Sequence, residues 1–259
     1  MEEYSLLNLE SIKNDLGVLL KGIGVSLKDG FENGSKEFSH KRDANDMLTK
    51  YDTETNNKIL QYLEKKYPDI SIVSEEADEI SKTSEYSFVI DPIDGTRNFV
   101  RSIPIFYIGI GLVKDNETLL CVTYNPISQE LFWAIKGRGA YLNNKKLEVS
   151  KRTIELADIQ IRTVPDKKKE KEIVFKIIET AFQVKNEMCC HHEIAGVACD
   201  RYDGFISKNS NVWDYCQYLL VEEAGGRVTD WNGDKFDLSK DNIVASNGVI
   251  HDDLLKIVK

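Results

Sequence analysis

A chain of 259 residues, 41% hydrophobic and 30% charged, is long enough for one large domain or two lobes around a substantial core. Its net charge of −9 argues against a general nucleic-acid binder, and no apolar run reaches the roughly 20 residues that a membrane helix needs. The five cysteines follow no regular framework, which suits reduced thiols in a cytoplasmic protein, and the acidic start Met1-Glu2-Glu3-Tyr4 lacks the basic and apolar regions of a signal peptide.

Residues 5 to 28 place Leu6, Leu9, Ile12, Leu16, Leu19, Ile23 and Leu27 at helical spacing, with Gly22 a candidate break. Residues 29 to 46 are polar and read as a loop or loose hairpin containing Lys41. Thr53 to Lys66 reads as a second helix, ended by Tyr67-Pro68-Asp69. Ile70 to Val73 is a short strand that delivers Ser74-Glu75-Glu76. Alone, such a Glu-Glu pair is most often a solvated face.

The stretch Asp91-Pro92-Ile93-Asp94-Gly95-Thr96-Arg97-Asn98-Phe99 follows the apolar strand Ser87 to Ile90. Pro92 cannot donate to a ladder and is expected to end that strand, and Gly95 permits a sharp turn. Two carboxylates, Asp91 and Asp94, then share a tight bend. Neighbouring carboxylates repel, and a divalent cation is the ordinary remedy. The amides of Gly95 and Thr96 could lead into a short helix and accept a phosphate. The competing reading is a surface turn built from common turn residues.

Strands dominate from there to Val149, at Tyr107 to Val113, Leu119 to Tyr124, Leu131 to Ile135, Ala140 to Leu142 and Lys146 to Val149. A lobe boundary is expected near residues 150 to 158, dividing one domain of 259 residues into lobes of about 1–150 and 151–259. Lys167 to Phe182 has the apolar stripe of a helix, Ile194 to Cys199 reads as a short helix, and Gly204 to Ile206 as a strand. Cys189-Cys190-His191-His192 invites a zinc reading, but zinc sites prefer spaced pairs, so a strand or loop lining the second lobe is the simpler expectation. Trp213 to Gly226 reads as a helix with Asp214 at its start, where a helix cap competes with a ligand role. Later strands are marked by Val228 and by Ile243-Val244, and His251 to Val258 closes the chain as a helix.

Glu75, Asp91, Asp94 and Asp214 thus sit at a strand end, a turn and a helix start, termini that can converge at one edge of a layered fold. Hard oxygen ligands suit Mg²⁺ better than Zn²⁺. No Gly-x-x-x-x-Gly-Lys-Ser/Thr loop is present, and the spacing of Asp91 and Asp94 departs from the Asp-x-Asp-x-Thr of aspartyl-nucleophile phosphatases.

These motifs resemble the inositol monophosphatase family of lithium-sensitive, Mg²⁺-dependent phosphatases. Asp91-Pro92-Ile93-Asp94-Gly95-Thr96 with Asn98-Phe99, Trp213-Asp214 before Glu223-Ala224-Gly225-Gly226, Glu75-Glu76 after a strand, and Thr49-Lys50-Tyr51-Asp52 match in order and separation. The resemblance implies an α+β fold, a layered αβαβα sandwich, usually a homodimer. It implies that Glu75, Asp91 and the Ile93 carbonyl hold one Mg²⁺, that Asp91, Asp94 and Asp214 hold a second, and that Glu75 helps a third through water. Thr96 and Asp52 would orient and deprotonate the attacking water, the amides of Gly95 and Thr96 would take the phosphate, and Lys41 would lie on a mobile loop near the metals. The expected chemistry is in-line attack of water on a small phosphate monoester.

The alcohol side departs from the family. Ser207 stands where inositol-selective relatives usually carry a Glu, and Met188-Cys189-Cys190 replaces a small Gly-Ser/Thr-Ala run. Asp94, Cys189, Cys190 and Ser207 are the candidate substrate contacts, with Arg201 either in the pocket or on the surface. Such changes argue for a polyol or sugar phosphate without clear preference for inositol 1-phosphate. Fructose bisphosphate, histidinol phosphate, nucleotide 3′-phosphates, and a non-catalytic role binding a phosphorylated ligand are the alternatives.

Overall fold

A computed structural model of the chain describes residues 7–40, 47–162 and 166–259. Helix α1 (Leu9–Asn33) and the short pair β1 (Ser39–His40) and β2 (Met47–Leu48) lead into α2 (Lys50–Lys66). Then come β3 (Ser71–Ser74), β4 (Ala77–Ile80), β5 (Tyr86–Asp94), α3 (Thr96–Val100), β6 (Tyr107–Lys114), β7 (Glu117–Asn125), β8 (Glu130–Ile135), β9 (Gly139–Leu142) and β10 (Lys145–Lys146). The remainder holds β11 (Asp158–Ile161), α4 (Lys167–Thr180), β12 (Gln183–Lys185), α5 (Cys190–Ala198), β13 (Gly204–Lys208), α6 (Val212–Tyr215), α7 (Leu219–Glu223), β14 (Arg227–Thr229), β15 (Asn242–Ser246) and α8 (His251–Val258).

Two sheets carry the architecture. An eight-stranded sheet runs β10-β9-β8-β7-β6-β5-β3-β4, and a five-stranded sheet runs β12-β11-β13-β15-β14. The period-2 alternation of strands sends consecutive side chains to opposite faces. Phe88 and Ile90 of β5 pack under α1 and α2, while Val89 between them enters the core shared with the second sheet. Phe205 and Ile206 of β13 divide the same way, the first inward and the second beneath α4 and α8. Three apolar layers result, with α5 and α7 filling the space between the sheets. The protein is a layered α+β sandwich.

Several boundaries differ from the sequence expectation. Helix α1 is unbroken at Gly22 and continues to Asn33, because Gly30 lets Tyr51 pack against its last turn, where a Cβ would stand 2.3 Å from the ring. Helix α2 begins at Lys50 rather than Thr53. Thr49 caps it, and Asp52 at the third helical position returns the bond to the Thr49 amide, a reciprocal capping box. Strand β5 does not stop at Pro92. Its ladder with β6 skips from Asp91 to Asp94, so the proline sits in a register shift where no amide is required. The Cys189–His192 segment is not a strand or a continuous loop, since α5 starts at Cys190 with Cys189 as its extended cap. The expected helix from Trp213 is three short pieces, α6, a 3-10 turn over Cys216–Tyr218 and α7.

Candidate active site

The parallel pairing of β3 with β5 fixes the first half of the site. Ser74 lies opposite Ile90, and the Glu75 amide donates to the Ile90 carbonyl at 3.2 Å. Glu75 is thereby held beside Asp91, the next residue along β5. Four residues on, Gly95 adopts φ of +89° and turns the chain into α3. A side chain there would meet the Ile105 carbonyl at 2.8 Å. Asn98 then fastens α3 to its surroundings, with Nδ2 donating to the Ile105 and Glu187 carbonyls at 2.8 Å each.

The second half comes from elements far along the chain. Asn211 caps α6, and its amide donates to Asp214 Oδ2 at 2.8 Å, so Asp214 acts as a cap and also faces the cleft. Asp94 Oδ2 accepts from the His191 amide at 2.5 Å and lies 3.2 Å from Cys189 Sγ. The outcome is a cleft of about 120 Å³ whose lining includes Glu75, Asp91, Ile93, Asp94, Gly95, Thr96 and Asp214. Asp91 Oδ1 is buried in it with no hydrogen-bond partner among the described residues. Burial first, then the charges of Glu75, Asp94 and Asp214, pushes the Asp91 carboxyl well above the ordinary carboxylate range. Burial also raises Asp214, against the opposing effect of the Arg162 guanidinium. Converging carboxylates with an orphaned buried oxygen are a poor arrangement for an empty protein and a good one for a hard divalent cation. The donor set therefore fits Mg²⁺.

Thr96 and Asp52 meet at the rim of this cluster. Thr96 Oγ1 is 2.9 Å from Asp52 Oδ1 and 2.9 Å from the Ile93 carbonyl. Lys41 lies outside the described residues.

The expected substrate wall is arranged differently from the sequence reading. Ser207 is fully buried and does not line the cleft; its hydroxyl is 3.0 Å from the Tyr215 hydroxyl and 3.2 Å from that of Ser210. Arg201 is not at the cleft. It forms a two-pronged pair with Glu130 and lines a separate depression with Arg152 and Asp200. Cys189 and Cys190 are fully buried beneath the site, and burial drives both thiols upward, so they remain protonated. Met188 is the member of that run that lines the cleft.

Arg162 escaped the sequence reading, and His191 entered it only within the zinc motif. Arg162, directly after β11, lines the cleft and brings a positive charge to the carboxylates. His191 offers a ring nitrogen that, with carboxylate oxygens of Asp91 and Asp94, forms a group lying within 4.8 Å of one another. Its ring is already engaged. Nε2 is 2.9 Å from the Trp213 carbonyl, which can only accept, so Nε2 carries the proton and Nδ1 faces the Thr123 hydroxyl at 3.2 Å. His191 thus ties α5 to Asp94 through its amide and to the residue before Asp214 through its ring. Gly109 makes room for it, because a Cβ at that position would stand 2.1 Å from His191 Cε1.

Comparison with known proteins agrees with this geometry. The Inositol monophosphatase family model matches residues 9–259. Inositol monophosphatase 3 of Solanum lycopersicum is 32% identical over 249 residues, covering 91% of this chain and 92% of that protein. A fructose-1,6-bisphosphatase/inositol-1-monophosphatase of Aquifex aeolicus is 29% identical, covering 91% and 90%. The crystal structure of the extragenic suppressor protein SuhB from Bartonella henselae superimposes with a TM-score of 0.91 at 31% identity, covering 96% of this chain and 98% of that one. With its carboxylates gathered in one cleft of a layered α+β sandwich, the chain belongs to the inositol monophosphatase family, enzymes that hydrolyse phosphate monoesters.

Proposed function

We propose that this protein is a Mg²⁺-dependent phosphomonoesterase acting on small phosphorylated polyols or sugars. The observation that carries the reading is the buried, unpartnered Asp91 Oδ1 inside a cleft that Glu75, Asp94 and Asp214 also line. Glu75, Asp91 and the Ile93 carbonyl would hold one ion, and Asp91, Asp94 and Asp214 a second. When bound, the cations neutralise the carboxylates and supply an acidified water and charge stabilisation for the departing alcohol.

The chain's own groups orient the reaction. Thr96 lines the cleft, and its hydroxyl lies within reach of Asp52, a geometry suited to taking a proton from water near the phosphorus. The amides of Gly95 and Thr96, at the start of α3, are assigned to the phosphate. A homodimer, on the strength of the resemblance, and the cytoplasm, which the five free cysteines suit, complete the reading.

The alcohol side supports breadth rather than inositol selectivity. Ser207 carries a hydroxyl in place of a carboxylate and is turned inward, so it offers ring hydroxyls no partner in the cleft, and Met188 lines it instead. Phosphate release should be measured for inositol 1-phosphate, several sugar phosphates, fructose bisphosphate and a nucleotide 3′-phosphate, with Mg²⁺ and with chelator. Activity on several small substrates only with Mg²⁺ is expected. Full activity in chelator would refute the metal assignment. A preference of about a hundredfold or more for inositol 1-phosphate, roughly 2.7 kcal/mol, would refute the breadth.

A further inference from the structure

Arg162 has no evident structural employment, yet it is a permanent charge inside the candidate site. Its backbone is pinned at the end of β11, where its amide donates to the Ile206 carbonyl of β13 at 2.8 Å. Its side chain is only 16% exposed. Nη2 is 4.0 Å from Asp94 Oδ1 and 4.0 Å from Asp214 Oδ1, too far to be hydrogen bonds. Nη1 is buried with no hydrogen-bond partner among the described residues. Glu193, itself buried with an unpartnered Oε2, also acts on it electrostatically.

The other oxygens of the two aspartates are committed. Asp94 Oδ2 accepts from the His191 amide, and Asp214 Oδ2 accepts from the Asn211 amide. The free oxygens, one from each, are therefore the pair that faces Nη2. They are also the oxygens through which both residues could share a second divalent ion. A guanidinium cannot shed its proton in a protein, so any ion taken between Asp94 and Asp214 must sit beside a fixed positive charge. In a partly dry cleft that repulsion is large compared with the same pair in water. The Glu75–Asp91 position is set by the ends of β3 and β5, and its Asp91 Oδ1 has no hydrogen-bond partner among the described residues.

We propose that the Arg162 guanidinium is a resident cation that competes with the second divalent ion at Asp94 and Asp214, and so sets the affinity of that ion without weakening the ion at Glu75 and Asp91. The inference rests on the two-ion reading above. It makes Arg162 a positioning residue acting through the carboxylates, and it assigns this chain a built-in charge at the Asp94–Asp214 ion position.

Titration calorimetry with Mg²⁺ alone, on purified metal-free protein, tests it without any turnover. Arg162→Met should tighten the weaker ion about tenfold or more and leave the tighter ion within about twofold. Arg162→Lys, which restores the charge, should return the weaker ion toward the wild-type affinity. Arg162→Gln, which keeps a polar group beside Glu193, is carried in parallel and should behave like Arg162→Met, so that a misfolded methionine variant, detected by circular dichroism, does not decide the matter. Equal affinities for both ions in wild type, Arg162→Met and Arg162→Gln would overturn the competition while leaving the two-ion reading intact. No Mg²⁺ binding to wild type would overturn both.

Discussion

Thr96 Oγ1 stands 2.9 Å from Asp52 Oδ1, across 44 residues of sequence, and joins the start of α3 to the start of α2. Asp52 has two tasks. Its Oδ2 accepts from the Thr49 amide at 2.8 Å and the Thr49 hydroxyl at 2.6 Å, which caps the helix, while Oδ1 faces Thr96. Asp52→Asn should lower kcat by about 10²–10⁴-fold, the usual range for a lost general base. Its cost in stability should be about 1 kcal/mol. Thr96→Val should lower kcat while leaving the α2 cap in place. Steady-state kinetics beside urea denaturation separates the tasks, and an Asp52→Asn enzyme that is merely less stable would reduce Asp52 to a cap.

Asp91→Asn removes a buried charge that Glu75, Asp94 and Asp214 all oppose. The metal-free variant is expected to melt at or above the wild-type temperature and to have almost no activity. Wild type should gain stability with added Mg²⁺, about 2.7 kcal/mol at a hundred times the dissociation constant, and the variant should gain much less. Thermal melts with and without Mg²⁺ check this. Near-normal turnover by folded Asp91→Asn protein would remove Asp91 from the metal site.

Gly109→Ala should disturb the site from outside it. The new methyl would collide with His191, which holds Asp94 by its amide and the Trp213 carbonyl by its ring. Overpacking of this kind typically costs about 1–3 kcal/mol. A drop in kcat together with lowered stability is expected, and full activity would mean that the His191 bridge does not position the carboxylates.

Arg201→Ala should be nearly silent in catalysis. The residue is paired with Glu130 away from the cleft, and its side chain is 40% exposed. The loss in stability should stay within roughly 1 kcal/mol. A tenfold rise in KM for any substrate of the panel would return Arg201 to the substrate wall.

His251 is buried between the Thr229 hydroxyl, 2.9 Å from Nε2, and the Ser246 hydroxyl, 2.8 Å from Nδ1. Burial, with a further contribution from Arg227, lowers it from 6.5 to about 4. Below pH 6.5 the unfolded chain binds a proton that the folded chain refuses. The contribution of His251 is therefore complete above that pH and is lost as pH falls toward 4, by at most about 1.4 kcal/mol per unit. Glu193, pushed up to about 7 chiefly by burial, acts in the opposite sense over part of that window. The measurable quantity is thus a difference: stability should fall less steeply from pH 6.5 to 4.5 in His251→Gln than in wild type. Parallel profiles would show that His251 protonates freely in the folded protein.

The acidic residues and the elements bearing them were readable because their signals are local. Asp91, Pro92, Asp94 and Gly95 are adjacent in sequence, and the strand before them is an uninterrupted apolar run. Glu75 follows a short strand, and Trp213-Asp214 opens a helical stretch. The α+β layering followed from the same period-2 and helical patterns. What lay between was not local. Nothing near Asp94 announces that the amide of His191, 97 residues later, will bind its carboxylate. Nothing in the Ile159–Arg162 run distinguishes a cleft-facing arginine from a surface one, since the answer depends on where β11 ends beside β13. Ser207 reversed expectation, and Arg201 took the surface alternative, for the same reason. A serine hydroxyl takes the nearest partner that packing offers, here Tyr215, and an arginine takes the nearest carboxylate, here Glu130. The sequence by itself determined which carboxylates the site would hold, because carboxylate chemistry belongs to the residue. Only the tertiary structure decided which of them are buried together, which oxygens backbone amides already occupy, and where the opposing arginine stands, because those depend on distances that chain order does not encode.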